Sequence, residues 1–314
     1  MGCRTVNWIT VWGYGADITA AGNTLFIRKK DENVPAKYPL NEVSHLLIAG
    51  DNILHTAVIG KCQEHGIPIS FFDIRGKPAG CLFKGTPRFS GAQDKVPALA
   101  YAKAVVESSL EARMRYLHEL AEKQGKFYLK GEFELLAQAR SDISYAGTVS
   151  ELARLFSVTR NMYYEILSRA VPADLGYKRR IEFSFADPVN TLLSKGYAAL
   201  YATVHAACIG AGLDPAKSMI FGKSIPCSGK ACVCEIMEPA LVPMVDRVVI
   251  GLAKEGLLSD AKLSGSRWIF SEKADSAFSK RLAESIDRFC IESNVRAYAE
   301  SAAAGKAPEY HYPA

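Results

Sequence analysis

Two glutamates have the residue type and spacing for metal-dependent chemistry. Glu235 and Glu238 stand three residues apart in EIMEPALVPMVDRVVIGL, a stretch with helical spacing. Residues three apart lie on one face of a helix, so the two carboxylates are expected to point the same way. Hard divalent cations such as Mg²⁺ prefer oxygen ligands, and one or two protein carboxylates suffice when water and substrate phosphate complete the coordination. The pair indicates either a metal site or two solvated carboxylates on an exposed helix face.

Basic side chains around this stretch could bind a phosphate backbone. A run of three cations precedes a long apolar segment, and further cations stand in the preceding helix and in the loop that follows. Such side chains bind phosphates without reading base sequence, although a basic run is also typical of a solvated face. The candidate DNA-binding residues are Arg160, Lys178, Arg179, Arg180, Lys223 and Lys230.

Histidine and cysteine are weaker candidates for chemistry. Cys227, Cys232 and Cys234 lack the C-x-x-C pairs of a zinc ribbon and leave a fourth ligand unnamed, so we interpret them as structural thiols. The eight cysteines of the chain show no disulfide spacing, which favours reduced, buried thiols. His205 stands in a mostly apolar helix, where a lone histidine is more often a core residue than a ligand.

A long helix must position these residues. Asp187-Pro188 is a cap and first-turn signal, and Gly212 is a stop signal. Apolar residues between them cover most of the circumference, which is typical of a helix buried on all sides. Pro239 and Pro243 must end or bend the helix that carries the two glutamates.

The order of the motifs in this region resembles that of the CRISPR-associated protein 1 family, the integrases of CRISPR spacer acquisition. The chain reads D-P-V-N-T-L-L-S-K-G-Y-A-A-L-Y from Asp187, then G-L-D-P, then E-I-M-E-P, then V-D-R. The resemblance implies a β domain that makes a homodimer, a helical domain that binds DNA, and a small ferredoxin-like partner subunit. It also implies Mg²⁺ or Mn²⁺ as the cofactor of an active member.

Members of that family hold their metal at three positions, and the resemblance maps only one of them cleanly onto a ligand in this chain. Glu238 matches the usual acid and is the candidate catalytic and metal-binding residue, while Glu235 replaces the acid one turn earlier. Phe221 stands where the family has a histidine, and Phe156 stands where it has a glutamate. Phenylalanine cannot bind a metal or relay a proton, so its role is packing.

These substitutions set two hypotheses about function against each other. The first is an integrase-like DNA-binding protein of spacer acquisition, a part of antiviral defence, with weak or lost metal-dependent catalysis. The second is an active metal-dependent DNA integrase or endonuclease, a hydrolase-type enzyme that uses Glu238 and substitute ligands. We favour the first, because two of the three expected ligands are absent and no proton relay is evident. Whether the chain is an enzyme stays open at this point.

The pattern along the chain predicts an α+β fold, with a small β domain followed by a larger all-helical domain. Residues 1–84 alternate short β-branched and aromatic runs with turn signals and contain one helix, starting at Asp51. Residues 85–97 are glycine, proline and polar residues and are predicted to be a linker, 98–303 have helical periodicity, and 304–314 are predicted to be a flexible tail.

Composition excludes some classes of protein. The 314 residues are 49% hydrophobic and 23% charged, as in an ordinary globular protein long enough for two domains. No apolar run is long enough for a membrane span, and the N-terminus lacks the layout of a secretory signal, so cytoplasmic location is expected. The net charge of +5 is compatible with nucleic-acid binding without requiring it.

Overall fold

The structure is a computed structural model and shows the predicted α+β order. It describes residues 7–30, 32–84, 89–125, 127–182, 184–218, 230–265 and 267–309. A β region comes first and a mostly helical region follows, which confirms the predicted fold class. Within the described ranges, no helix combines the length and hydropathy needed to cross a bilayer.

The β region consists of two sheets and one helix. In the described residues one sheet has the order β1-β5-β7-β8, in which β1, β5 and β7 are parallel and β8 is antiparallel to β7. The other has the order β4-β3-β2-β6 and contains the β2–β3 hairpin. The elements are β1 (Asn7–Trp12), β2 (Asp17–Ala21), β3 (Thr24–Arg28), β4 (Ala36–Pro39), β5 (Val43–Ala49), β6 (Ile53–Leu54), α1 (Thr56–Glu64), β7 (Ile69–Phe72) and β8 (Pro78–Leu82).

Strand β5 joins the two cores of the molecule. Leu46 and Ile48 point into the core between the two sheets, whereas Leu47 and Ala49 belong to the core of the helical region. Successive residues of a strand face opposite sides of the sheet, so a strand buried on both faces must be apolar throughout. The run of apolar residues in β5 therefore reflects a sheet that packs on helices.

The helical region extends from residue 90 to residue 304. A 3₁₀ turn at Glu238–Ala240 and a π-helical segment at Val242–Asp246 separate α7 from α8, at the prolines that were predicted to end or bend this helix. The elements are α2 (Ser90–Gln93), α3 (Ala98–Gln124), α4 (Glu132–Tyr145), α5 (Val149–Ser168), α6 (Pro188–Gly210), α7 (Ala231–Met237), α8 (Arg247–Lys254), β9 (Lys262–Ser264), β10 (Arg267–Ile269), α9 (Glu272–Ser285) and α10 (Arg288–Ala304).

Helix α6 is the predicted buried helix. The Asp187 carboxylate caps it by accepting a hydrogen bond of 2.7 Å from the Asn190 N–H. At the other end, Gly212 has a φ of +82°, and the Leu213 N–H donates to the Cys208 carbonyl at 2.9 Å. This is the bond pattern of a helix that ends in a left-handed glycine. Buried residues occur on all sides of α6, as its composition predicted.

Two boundaries differ from the sequence-based expectation. Helix α1 begins at Thr56 rather than at Asp51, because β6 pairs with β2 in the residues between them. The predicted linker 85–97 contains α2, and the buried Gln93 both donates to the Asp214 carbonyl at 3.1 Å and accepts from its N–H at 2.8 Å. The division into domains stays a prediction, but this part of the segment is packed.

The contact between α6 and the π-helical segment requires a glycine. A Cβ built on Gly196 lies 2.5 Å from the Cγ1 of Val245, a buried β-branched residue that has little room to move. We expect Gly196→Ala to lower the free energy of unfolding by about 1–2 kcal/mol, because overpacking costs about 1–3 kcal/mol and the helix propensity of alanine returns up to about 1 kcal/mol.

The matched control for this prediction is Gly251→Ala in α8, where an added Cβ meets nothing within 4 Å. That variant is expected to be more stable than the wild type by about 0.5–1 kcal/mol. Chemical denaturation measures both variants. An equal response at the two positions would contradict the close approach at Gly196.

Candidate functional site

The candidate catalytic residue Glu238 forms an ion pair with an arginine of α3. Arg113 Nη2 lies 2.9 Å from Glu238 Oε2, and the two side chains are only 2% and 13% exposed. Burial disfavours the charge of the Arg113 guanidinium, but the Glu238 carboxylate outweighs this effect, and the pKa of Arg113 is raised above its ordinary value. Arg113 also donates to the Ser109 hydroxyl one turn earlier in α3. The structure therefore places a fixed cation against the carboxylate.

Phe156 also contacts the Arg113 guanidinium. The Arg113 Cζ atom is 5.4 Å from the centroid of the Phe156 ring and 5.6 Å from that of Tyr163, and both rings belong to α5. Cations are attracted to aromatic faces at such distances, and more strongly when water is excluded. Phe156 is 2% exposed. Two positions that the sequence singled out, Glu238 and Phe156, are thus brought together around Arg113.

Arg160 lies near this pair but is itself engaged. Its Nη2 atom is 2.5 Å from Glu182 Oε1, and its Cζ atom is 5.9 Å from the Tyr164 ring centroid. Burial opposes the charge of Arg160, whereas the Glu238 carboxylate and its other acidic neighbours raise its pKa above the ordinary value. The predicted DNA contact at Arg160 would therefore have to compete with an existing ion pair.

A buried carboxylate in the V-D-R motif organises the tyrosines behind the ion pair. Asp246 accepts hydrogen bonds from the Tyr163 hydroxyl at 2.9 Å and the Tyr197 hydroxyl at 2.5 Å. The Tyr164 hydroxyl is in turn 2.6 Å from that of Tyr197. Burial raises the pKa of Asp246 to about 6, although both tyrosine hydrogen bonds act in the opposite direction. This network joins α5 and α6 to the π-helical segment.

Asn190 of the D-P-V-N motif bonds to Arg180, so this arginine is engaged inside the protein. Arg180 Nη1 donates to Asn190 Oδ1 at 3.0 Å and to the Ser194 hydroxyl at 3.1 Å, and its Cζ atom lies 5.1 Å from the Tyr197 ring centroid. Asn190 also donates to the Arg179 carbonyl at 2.9 Å. Of the three consecutive cations, Lys178 and Arg179 are exposed, as is Lys230 at the start of α7.

Glu235 has a different environment from Glu238. Its side chain is fully buried, and its Oε1 atom accepts a hydrogen bond of 2.7 Å from the Ser218 hydroxyl. The expectation of two carboxylates on one solvated face is therefore wrong for this residue. The backbone leaves the α-helical path at Glu238, where the 3₁₀ turn begins. Phe221, Lys223 and Cys227 lie outside the described residues.

The described side chains around Glu238 do not match a divalent metal site. Across the described part of the chain, no group of three or more His, Cys, Asp or Glu side chains is placed to hold a metal ion. Glu238 is balanced by a protein cation, and Phe156 offers an aromatic face in the position where the resemblance implied a carboxylate. A second cation at this carboxylate would be opposed by the charges of Arg113 and Arg160.

His205 and the cysteines have structural surroundings. His205 is buried, its ring centroid lies 5.5 Å from that of Tyr201, and burial lowers its pKa to about 4. This agrees with the interpretation as a core residue. Cys62, Cys81, Cys208, Cys232 and Cys290 are free thiols. Cys234 is in a disulfide, so the expectation of reduced thiols throughout is wrong at that position.

Sequence reasoning missed Arg113 and the role of Asp246. Arg113 occurs in α3 at the helical spacing of Val106, Leu110 and Leu117, which are all buried. A charged residue on the apolar face of an amphipathic helix is a signal that a buried partner exists. Asp246 was visible as part of V-D-R, but nothing in the local pattern indicated the two tyrosines that bond to it.

The α+β fold and the order of motifs along the chain are those expected of a CRISPR-associated integrase. Comparison with known proteins identifies the family. The family described as CRISPR associated protein Cas1 matches residues 9–284. A CRISPR-associated endonuclease Cas1 of Thermus thermophilus is 29% identical over 255 residues, 78% of this chain and 75% of that protein. The chain belongs to the Cas1 family.

Solved structures share this fold. A casposase bound to integration product superposes with a TM-score of 0.82 at 18% identity, over 97% of this chain and 93% of that one. A chain of a Cas6-RT-Cas1–Cas2 complex has a TM-score of 0.78 at 20% identity, over 96% of this chain and 35% of that longer one. At these identities the likeness establishes the fold.

Proposed function

We propose that this protein is a DNA-binding member of the CRISPR adaptation machinery whose metal-dependent catalysis is weak or lost. Membership of the Cas1 family supports an integrase or endonuclease role in adaptation. One observation carries the loss of catalysis: the carboxylate that would hold a metal is neutralised by Arg113, 2.9 Å away, beneath the Phe156 ring. In an active member the ion there would be Mg²⁺ or Mn²⁺.

The ion pair argues against catalysis through its electrostatics. A metal that polarises a phosphate needs an unneutralised carboxylate that it can approach. Arg113 already satisfies Glu238, and displacing it would leave a guanidinium buried without its partner, at a cost of several kcal/mol. Metal ligands supplied by residues 219–229 would restore metal binding only if they contributed more free energy than the loss of the Arg113–Glu238 ion pair costs.

The proposed partner is DNA, bound through its phosphates. Lys178, Arg179 and Lys230 are exposed cations, and exposed cations bind phosphates with an affinity that falls as salt rises. The proposal also includes a homodimer through the β region and contact with a small ferredoxin-like subunit. The solved Cas1–Cas2 complexes support the idea of a Cas partner.

The test of lost catalysis compares the wild type with Glu238→Gln on nicked and branched DNA in the presence of Mn²⁺. Both proteins are expected to show the same background level of strand cleavage and joining, with DNA binding retained in each. Turnover by the wild type that disappears in Glu238→Gln would overturn the proposal in favour of an active integrase or endonuclease with substitute ligands.

The test of DNA binding removes two exposed cations. Lys178→Gln with Arg179→Gln is expected to weaken binding about tenfold or more in a gel-shift assay and to reduce the salt slope by about 2, since each lost phosphate contact lowers it by about 0.9. The control is Lys273→Gln with Lys280→Gln, two exposed lysines of α9 that carry the same total charge. Equal effects in both proteins would indicate general charge attraction instead.

A further inference from the structure

A cavity lies where the β region meets α6 and α10, and it is separate from the ion pair of Glu238 with Arg113. Its volume is about 250 Å³, just below the lower end of about 300 Å³ for small-molecule pockets. None of the residues that surround Glu238 lines it. This size is suited to a single small ligand.

Small residues of α6 create the space. Ala206, Ala207, Gly210 and Ala211 form its floor, at the i, i+1, i+4 and i+5 spacing of one helix face. Larger side chains at these positions would fill the cavity. The Phe83 ring approaches this face, because a Cβ built on Gly210 would lie 3.9 Å from its Cε1 atom.

The opposite walls combine flat apolar surface with charge. Trp8 and Phe83 contribute aromatic rings from the β region. Arg288, Glu292 and Arg296 face the cavity from α10, four residues apart, so they share one face of that helix. Arg288 Nε is 2.6 Å from Glu292 Oε1, which leaves the three side chains with one net positive charge.

Polar groups at the β5 wall are suited to bind an anion's oxygens or a ring's polar edge. The Ser44 hydroxyl is buried and has no hydrogen-bond partner among the residues that the structure describes. Buried hydroxyls usually find a partner, so one without any is suited to a ligand. His45 lines the same wall, and its Nε2 atom is 2.9 Å from the Ser70 hydroxyl. Burial lowers the pKa of His45 to about 3, so it adds no charge at neutral pH.

We propose that this cavity binds a nucleoside monophosphate group, either as a free mononucleotide or as the phosphorylated end of a strand. The base packs against Trp8 and Phe83, as bases stack on aromatic side chains in other nucleotide sites. The phosphate binds Arg296, for which no ion pair occurs within the described residues. The inference does not depend on the DNA role proposed above, because the residues are different.

Tryptophan fluorescence tests the site directly. The chain has three tryptophans, and of these Trp8 lines the cavity. Titration of the wild type with deoxyadenosine monophosphate is expected to give a saturable change in emission that Trp8→Phe removes. Deoxyadenosine and inorganic phosphate, each lacking one half of the ligand, are expected to bind about tenfold more weakly or worse. The absence of a saturable change with the mononucleotide would overturn the proposal.

Two variants and one control distinguish binding in the cavity from general charge attraction. Arg296→Gln is expected to weaken mononucleotide binding at least about tenfold, whereas Arg154→Gln, which removes an exposed helical arginine elsewhere, leaves it unchanged. Ala207→Leu, which fills the floor, is expected to abolish binding while the thermal midpoint stays close to that of the wild type. Equal weakening by Arg296→Gln and Arg154→Gln would overturn the proposal.

The source of the nucleotide is settled by two further ligands. A short 5′-phosphorylated oligonucleotide and the same oligonucleotide without the phosphate are compared by the same titration. Preference for the phosphorylated strand over free mononucleotide assigns the cavity to strand ends, and the opposite preference assigns it to a free nucleotide. Indifference to the phosphate in both forms would contradict the role given to Arg296.

Discussion

Replacement of Arg113 by Met is expected to lower the free energy of unfolding by about 3–5 kcal/mol at neutral pH. Met is close in length and apolar, so the packing against Phe156 and Tyr163 is largely kept. What is lost is the partner of Glu238, whose side chain is 13% exposed and cannot be hydrated fully. Removing one member of a buried ion pair leaves an uncompensated charge, which is the origin of this large effect.

A double-mutant cycle isolates that contribution. Arg113→Met combined with Glu238→Gln is expected to recover more than half of the loss, because the unpaired charge is gone. Arg115→Met is the control on the same helix: Arg115 is 43% exposed, its ion pair with Glu111 is 3.8 Å long, and the expected change is within about 0.5 kcal/mol. Urea denaturation measures the wild type, the single variants Arg113→Met and Glu238→Gln, the double variant and the Arg115→Met control. Similar losses for Arg113→Met and Arg115→Met would contradict the buried pair.

Lowering the pH from 7 to 5 is expected to destabilise the protein by about 2–3 kcal/mol. Burial lowers the pKa of His45 to about 3 and that of His205 to about 4, from 6.5 in the unfolded chain. Below pH 6.5 the unfolded state therefore binds more protons, and at pH 5 each histidine removes up to about 2 kcal/mol of stability. Asp246 acts in the opposite direction: its raised pKa of about 6 returns about 1 kcal/mol in the same window.

Denaturation midpoints at pH 7, 6 and 5 measure this dependence. His45→Gln, which keeps a side chain able to bond to Ser70, is expected to reduce the loss by about two thirds, since one of the two buried histidines is gone while Asp246 still acts in the opposite direction. His55→Gln is the control, because His55 is 52% exposed and bonds to Asp17 at the surface. A stability independent of pH in the wild type, or equal flattening by both substitutions, would show that the buried histidines are not the cause.

Local patterns in the sequence predicted most of the fold. The cap at Asp187, the stop at Gly212 and the all-round apolar surface of α6 depend on neighbouring residues, and all three are observed. The strand at β5 was recognisable from its apolar run. The start of α1 was missed, because the pairing of β6 with β2 joins residues that are distant in the chain.

The candidate site was predictable only in part, for the same physical reason. Glu238 and Phe156 were singled out through motif order, and the structure brings both against Arg113. The Arg113 partner itself stands 125 residues before Glu238, and no local spacing encodes such a pairing. The burial of Glu235 was missed because it depends on contacts outside the local helical pattern, such as the hydrogen bond from the Ser218 hydroxyl.

The arrangement around Arg113 has a consequence for the paths by which such a chain can change. Phe156→Glu alone would add a second negative charge where one cation already balances one carboxylate. Loss of Arg113 alone would leave the Glu238 carboxylate without its partner. Each single step therefore lowers stability before any advantage could arise. Whichever substitution came first, the single variant would be less stable than the present protein. The low stability of these single variants therefore helps to preserve the present pair of residues, in addition to the contacts that the pair makes.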